Sequence, residues 1–202
     1  VLILGGISHL YMFQAQISNK ELEDLPVKVF NGDIIIVDKE EEVKPAVEYL
    51  SKSTLLGFDT ETRPSFVKGK RHKVALLQLS NEERAYLFRL KYTGIPNELV
   101  HLLEDGGIIK IGAAIREDLR VMQRLKPFLP MGFIDLQAIV KKYGIMEMSV
   151  RKLAAIVLGV KISKSQQLSN WENDKLTDAQ QRYAATDAWV CREIYQVLQK
   201  TV

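Results

Sequence analysis

The chain has 202 residues, of which 47% are hydrophobic and 26% are charged, a composition typical of globular proteins rather than of disordered, fibrous or membrane-embedded ones. Its formal charge of +3 is compatible with a polyanionic partner but does not by itself indicate one. The single cysteine, Cys191, excludes an intrachain disulfide and a cysteine-based zinc site, and it fits a reducing, cytoplasmic compartment.

Residues 1–32 are predicted to form an N-terminal extension that packs on or beside a domain of residues 33–202. The opening segment VLILGGISHLYMF is apolar, but Gly5 and Gly6 interrupt it and it is too short to span a bilayer. We therefore expect no membrane association. A short polar helix is predicted near residues 18–24.

From residue 33 onwards, apolar runs alternate with helical patterns and chain-breaking residues. Strands are predicted at 33–37, 55–62, 74–80, 85–90, 108–112 and 132–136. Helices are predicted at 42–51, from about Pro96 to Gly106, and at 113–126, 136–143, 149–158 and 177–199. Pro45 is acceptable only in the first turn of its helix, and the short connection at 81–83 predicts an antiparallel hairpin. These elements predict an α/β fold with a mixed sheet and helices packed on it.

The second predicted strand, LLGFDTET, ends in two acidic residues. Side chains alternate along a strand, so Asp59 and Glu61 point to the same face. Because like charges repel each other, the rest of the chain must supply the groups that neutralise the charge of this pair.

Two further acids lie on helix stripes that are otherwise apolar. Asp118 lies on the inward stripe of helix 113–126, and Asp187 lies on that of the last helix, one turn after Tyr183. A single inward-facing aspartate has an ordinary explanation as a helix cap or an arginine partner. Four such acids, with no Lys or Arg in the same stripes, instead indicate hard divalent cations, and they suit two ions of Mg²⁺ or Mn²⁺.

Two cations held by carboxylates are typical of sites that catalyse phosphoryl transfer. Tyr183 shares a helix face with Asp187 and is predicted to project into the same site. The alternative for this side chain is a core tyrosine with a satisfied hydroxyl.

A basic loop, RPSFVKGKRHK, follows the first acidic pair directly. Backbone-neutralising cations beside an aromatic ring are typical of surfaces that bind a nucleic-acid strand. The candidate contacts are Arg63, Phe66, Lys68, Lys70, Arg71 and Lys73, with Lys164 reaching the strand from the other side. A solvated loop is the alternative. Gln78 is expected to make a structural polar contact, and Arg151 is expected to lie on a solvated helix face.

The acidic motifs resemble those of the DEDD 3'-5' exonucleases. FDTET is similar to the first motif of that family and GAAIREDLRVM (112–122) to the second. YAATDAW (183–189) resembles the third motif, in the subclass that carries tyrosine there. Residues 68–88 also resemble the Werner syndrome exonuclease domain, and residues 168–189 resemble the ribonuclease D catalytic domain.

This resemblance implies a ribonuclease H-like fold, with a five-stranded mixed sheet flanked by helices. It implies hydrolysis from the 3' end of DNA or RNA to nucleoside 5'-monophosphates, with two divalent cations, Mg²⁺ or Mn²⁺, as cofactors. Asp59, Glu61, Asp118 and Asp187 carry over as metal ligands, with Asp59 bridging both ions, and Tyr183 carries over as the group that orients the attacking water. No protein partner can be inferred.

Two alternatives remain open at the level of the sequence. One is a two-metal endonuclease of the ribonuclease H kind, which the pairing of Tyr183 with Asp187 disfavours. The other is a catalytically silent nucleic-acid-binding module, which the presence of all four acids disfavours.

Overall fold

The computed structural model describes residues 13–64 and 72–201. Within these ranges a mixed sheet is covered by helices on both faces. Its strands are β1 (Asp33–Val37), β2 (Leu55–Thr62), β3 (Val74–Ser80), β4 (Arg84–Arg89), β5 (Ile109–Gly112) and β6 (Phe133–Asp135). The helices are α1 (Asn19–Glu23), α2 (Glu40–Leu50), α3 (Leu90–Thr93), α4 (Asn97–Glu104), α5 (Ile115–Leu125), α6 (Leu136–Ile139), α7 (Val150–Leu158) and α8 (Asp178–Gln199), with a 3-10 helix at Val140–Tyr143.

The strands of the described part follow the order β1-β4-β3-β2-β5-β6. β3 pairs antiparallel with β4, as the short connection between them predicted. It also pairs antiparallel with β2. β1, β5 and β6 each pair parallel with their neighbours. The predicted mixed α/β architecture is confirmed, but the sheet has six strands rather than the five that the resemblance implied. All six strands coincide with apolar runs that the sequence predicted to be strands, and the edge strand β6 is three residues long.

Helix α2 begins earlier than its apolar spacing predicted. It starts at Glu40, so Pro45 lies inside the helix and not in its first turn. Acidic residues in the first turn favour this earlier start because they face the positive end of the helix dipole. The Glu42 carboxylate also accepts hydrogen bonds from the two backbone N–H groups that precede the helix. The missing N–H of Pro45 leaves only the carbonyl of Glu41, an exposed residue, without its helical partner.

The two faces of the sheet bury different sets of helices. One face packs Leu56 and Phe58 of β2 against the apolar sides of α2, α4 and α5. The other face packs against α7 and α8. Helix α8 approaches β2 so closely that a Cβ atom built on Gly57 would lie 1.9 Å from the carbonyl oxygen of Ala188. Glycine is therefore required at this position for α8 to rest on the strand that carries the first acidic pair.

The segment before β1 packs on α7 and α8. Ile17 and Leu22 are buried against Ala155 of α7, and the Phe30 N–H donates a 3.0 Å hydrogen bond to Oγ1 of Thr186 in α8. We propose that this segment belongs to an extension ending at residue 32, outside a domain that begins with β1. Residues 1–12 of that extension lie outside the described residues. None of the helices in the described ranges is long and apolar enough to cross a membrane.

Candidate active site

Three of the four predicted acids meet at the end of β2. Strand alternation places Asp59 and Glu61 on the face that α8 covers, and α8 carries Asp187 next to its contact with Gly57. One carboxylate oxygen from each of the three side chains lies within 4.8 Å of the others. The fold therefore brings together residues that are more than a hundred positions apart in the sequence.

The fourth acid, Asp118, lies beside this cluster rather than within it. The Oγ1 atom of Thr60, between the two acids of β2, donates a 2.5 Å hydrogen bond to its carboxylate. The tight turn before α5 fixes its position. Ala114 has the left-handed φ of 59°, and its N–H donates to Asp135 at the end of β6. Asp118 is near enough to raise the pKa of both Asp59 and Glu61.

Burial and mutual repulsion disfavour the charged forms of the clustered acids. The pKa of Asp59 is held well above its usual range, by burial first and then by the charges of Asp187 and Asp118. Burial and the nearby carboxylates raise the pKa of Glu61 to about 10. Burial raises the pKa of Asp187 to about 7, although the neighbouring Tyr183 hydroxyl opposes this shift.

The cluster has no cationic side chain as a partner in the described part of the chain. The ion pairs found there join other residues and leave these three acids out. The donor set consists of carboxylate oxygens without His or Cys, which is the set that hard divalent cations prefer. The residues present therefore fit a divalent metal, and its charge would compensate for the buried carboxylates.

Tyr183 lies one helical turn before Asp187 on α8, as the sequence predicted. Its ring packs against buried Trp171, with 6.0 Å between ring centroids. Burial and the carboxylates of Asp187 and Glu61 raise its pKa above the usual value for tyrosine. The phenol is therefore neutral at physiological pH, and its hydroxyl can donate a hydrogen bond into the site.

The acids open into a cleft of about 260 Å³. Beyond the acids and Tyr183, its walls come from α7 and from the segment between α7 and α8, namely Ser149, Val150, Arg151, Ile162, Ser163, Lys164 and Gln167. Lys164 is among these lining residues, and its contact with a nucleic-acid strand stays a prediction.

Arg151 contradicts its expected place on a solvated helix face. It lines the cleft, and its guanidinium forms an ion pair with Glu23 of α1. The sequence lacked a signal for this position because it depends on how α7 packs on α8 and on the segment before β1.

The basic loop after β2 is only partly described. Phe66, Lys68, Lys70 and Arg71 lie outside the described residues. Arg63 forms an ion pair with Glu172, at 3.5 Å between Nη1 and Oε2, and the exposed Lys73 borders a separate cavity. Neither Arg63 nor Lys73 is among the residues that line the cleft, so their contact with a strand stays a prediction.

Gln78 also departs from expectation. It is fully buried on β3, directly opposite Asp59. Neither polar atom of its side chain has a hydrogen-bond partner in the described part of the protein, so the expected structural contact is missing.

Comparison with known proteins identifies relatives of the whole described domain. Residues 34–202 match the family model described as 3'-5' exonuclease. The chain is 34% identical over 196 residues to the bifunctional 3'-5' exonuclease/ATP-dependent helicase WRN of Mus musculus, in an alignment that covers 92% of the chain and 14% of that protein. It is 29% identical over 171 residues to ribonuclease D of Gluconacetobacter diazotrophicus, covering 82% of the chain and 42% of that protein.

A solved structure shows the same fold. The crystal structure of the Aedes aegypti Nibbler EXO domain superposes with a TM-score of 0.75 at 25% sequence identity, covering 86% of this chain and 92% of that one. The ribonuclease H-like α/β fold expected from the motifs is thereby confirmed. The chain spans less than half of the length of the two curated relatives named above.

Proposed function

Because the chain belongs to the 3'-5' exonuclease family, we propose that it hydrolyses nucleic-acid phosphodiesters from the 3' end and releases nucleoside 5'-monophosphates. The observation that supports this most is the buried cluster of Asp59, Glu61 and Asp187, with carboxylate oxygens within 4.8 Å of one another. Such a cluster destabilises a protein unless a cation is bound there.

The proposed cofactors are two divalent cations, Mg²⁺ or Mn²⁺. Asp59, Glu61 and Asp187 would hold them, with Asp118 acting from the neighbouring position beside Thr60. When bound, such ions generate a nucleophile at neutral pH and stabilise charge on the leaving oxygen.

The remaining chemistry belongs to side chains of this chain. The neutral hydroxyl of Tyr183 donates a hydrogen bond that orients the attacking water beside Asp187. Lys164 on the cleft wall neutralises backbone phosphate of the bound strand. DNA and RNA are both proposed as substrates, because no described residue is identified as a contact for a 2'-hydroxyl.

The proposal is tested with 5'-labelled DNA and RNA oligonucleotides, single-stranded and duplex, with free or chemically blocked 3' ends. In Mg²⁺ or Mn²⁺ the wild-type protein is expected to shorten the free ends one nucleotide at a time. Asp187→Asn is expected to abolish this shortening. The matched control is Asp178→Asn, at an exposed position of the same helix, which is expected to act as the wild type does.

Each alternative activity gives a different result in that assay. Equal cleavage of free and blocked substrates at internal positions would identify an endonuclease. Tight binding without shortening under any of these conditions would identify a silent binding module. Either result would overturn the proposed exonuclease.

A further inference from the structure

Gln78 stands beside the proposed metal site without any assigned role. Its place in the sheet is fixed by two antiparallel pairings, with Asp59 of β2 on one side and Leu87 of β4 on the other. Residues that are directly opposite in antiparallel strands share a face, and their Cβ atoms lie about 4.5–5.5 Å apart. The Gln78 side chain therefore lies next to Asp59, on the face that α8 covers.

The surroundings of Gln78 give its amide no other function. Its side chain is 0% exposed, and both Nε2 and Oε1 lack hydrogen-bond partners among the described residues. Its neighbours on the same sheet face, Leu76 and Leu87, are buried and apolar. A buried unpaired amide destabilises a fold, and an apolar side chain of the same shape would be more stable there. An amide at this position therefore suggests a partner that forms only in another state of the site.

The metal-loaded state supplies such a partner. Asp59 is a proposed ligand, and the lone pairs of a buried ligand carboxylate that do not bind metal need hydrogen-bond donors. Among the described residues, the Asp59 carboxylate accepts a hydrogen bond from a backbone N–H at Thr60 and none from another side chain. The Nε2–H₂ group of Gln78 is a donor next to it that is not engaged elsewhere.

On the basis of the proposed function, we infer that Gln78 is a positioning residue for the metal site. Its amide donates a hydrogen bond to the Asp59 carboxylate when cations are bound. Its action is indirect, because it orients a ligand and does not contact substrate. The inference explains why the middle of an otherwise apolar sheet face carries an amide.

The test is the substitution Gln78→Met, which keeps the length of the side chain and removes both polar atoms. The Mn²⁺ dissociation constant is measured by calorimetry, kcat and KM are measured on a single-stranded oligonucleotide, and melting is followed in EDTA. We expect Mn²⁺ affinity to fall by about 10- to 100-fold and kcat to fall at subsaturating Mn²⁺. We expect KM for the oligonucleotide to stay unchanged and the melting temperature in EDTA to stay equal or rise.

The matched control is Leu87→Met, which introduces the same side chain one strand away on the same face. It is expected to leave Mn²⁺ affinity and kcat at wild-type values. Gln78→Leu serves as a second variant in case the methionine variant does not fold, and it is expected to weaken Mn²⁺ binding to a similar degree.

The outcomes separate this inference from the proposed function. Wild-type Mn²⁺ affinity and kcat in a folded Gln78 variant would overturn the inference and leave the exonuclease proposal intact. A lower melting temperature in EDTA for both Gln78 variants would show that the amide stabilises the metal-free core, which also contradicts the inference. If the wild-type protein neither binds Mn²⁺ nor hydrolyses nucleic acid, the proposed function fails and the inference fails with it.

Discussion

At the scale of single residues, the site is assembled from groups that destabilise the protein when no metal is bound. Asp59 and Glu61 have strongly raised pKa values because they are buried beside other carboxylates. The same burial strengthens their attraction to a cation, since charges interact more strongly in a medium of low dielectric constant. Residues of this kind are typical of active sites, where function is maintained at the expense of stability.

Asp59→Asn separates the destabilisation of the metal-free fold from the attraction to a cation. Asparagine removes a carboxyl group that burial and the neighbouring acids destabilise in the metal-free fold, so the melting temperature in EDTA is expected to rise. The rate of Mg²⁺-dependent 3' shortening is expected to fall by more than about 10²-fold, because a ligand is lost as well as charge. Asp38→Asn, at an exposed position before α2, is the control for removing an acid. A variant that is both less stable in EDTA and fully active would contradict this account of Asp59.

Tyr183→Phe tests the role of the hydroxyl. The ring contact with Trp171 is retained, so folding and Mn²⁺ affinity are expected to stay near wild type. The single-turnover rate of hydrolysis is expected to fall by about 10²-fold, because the attacking water loses its orienting donor. Rapid-quench kinetics with saturating enzyme measure this rate. An undiminished rate would show that Tyr183 is a core tyrosine whose hydroxyl has no part in hydrolysis.

The acids could be predicted from the sequence because each breaks a local pattern. Asp118 and Asp187 interrupt apolar helix stripes, and Asp59 and Glu61 end a buried strand. Gln78 and Arg151 break no such pattern. A glutamine in a strand and an arginine on a helix are ordinary locally, and only strand register and helix packing place them at the site.

At the scale of elements, the contact between α8 and β2 determines the geometry of the site. Gly57 permits it, since any side chain there would collide with the backbone carbonyl of Ala188. The next residue of β2 on the same face is Asp59, and the residue before Ala188 is Asp187. The spacing between the two acids therefore depends on a position that carries no chemistry of its own.

Gly57→Ala is expected to push α8 away from β2. The added methyl group would lower the free energy of unfolding by about 1–3 kcal/mol and weaken Mn²⁺ binding. Gly106→Ala is the matched control, because its Cβ would meet only the Met131 side chain, at 3.6 Å or more. Urea unfolding and Mn²⁺ titration measure the two effects. Unchanged Mn²⁺ affinity in the Gly57 variant would show that the helix contact does not set the spacing of the acids.

Lys110 on β5, which is not part of the acidic cluster, makes the free energy of unfolding depend on pH. Its ammonium donates to the carbonyl oxygens of Leu102 and Asp105 at the end of α4, and burial lowers its pKa to about 8. The unfolded chain keeps the usual lysine pKa of about 10.4. Between these values the unfolded chain binds more protons than the folded one, so raising the pH favours folding.

Urea unfolding of the wild type and of Lys110→Met at several pH values tests this shift. The free energy of unfolding of the wild type, relative to the variant, is expected to rise as the pH increases from about 8 towards 10.4. Comparison with the variant cancels the titration of other groups. A difference that is constant over this range would contradict the lowered pKa.

The bounds of the helices and strands were predicted best where the hydrophobic periodicity ends at a capping or chain-breaking residue. The start of α8 was predicted within one residue, and in the structure Thr177 and Gln180 form a capping box there. The start of α2 was misplaced because favourable charges extend that helix beyond its apolar spacing. The second half of the helix predicted at 136–143 is a 3-10 helix, Val140–Tyr143, a distinction that apolar spacing over so few residues does not reveal.

At the scale of the whole molecule, the site exists only in the complete fold. Its acids come from β2, α5 and α8, which lie in the first, middle and last thirds of the chain. A metal that binds these acids together therefore binds the folded chain and not the unfolded one. Metal binding must then stabilise the whole domain.

Melting curves at increasing Mn²⁺ concentration test this coupling. The wild-type melting temperature is expected to rise with the Mn²⁺ concentration, because one hundred times the dissociation constant contributes about 2.7 kcal/mol. In Asp59→Asn the rise is expected to disappear over the same range. An equal rise in both proteins would place the bound ions elsewhere on the molecule.

The central claim is tested most directly by identifying the first product released from a 3'-terminally labelled oligonucleotide. In Mg²⁺ the wild-type protein is predicted to release the label as a single nucleoside 5'-monophosphate, and Asp59→Asn is predicted to release none. Release of longer fragments or of a nucleoside 3'-monophosphate, or equal release by the variant, would contradict the account.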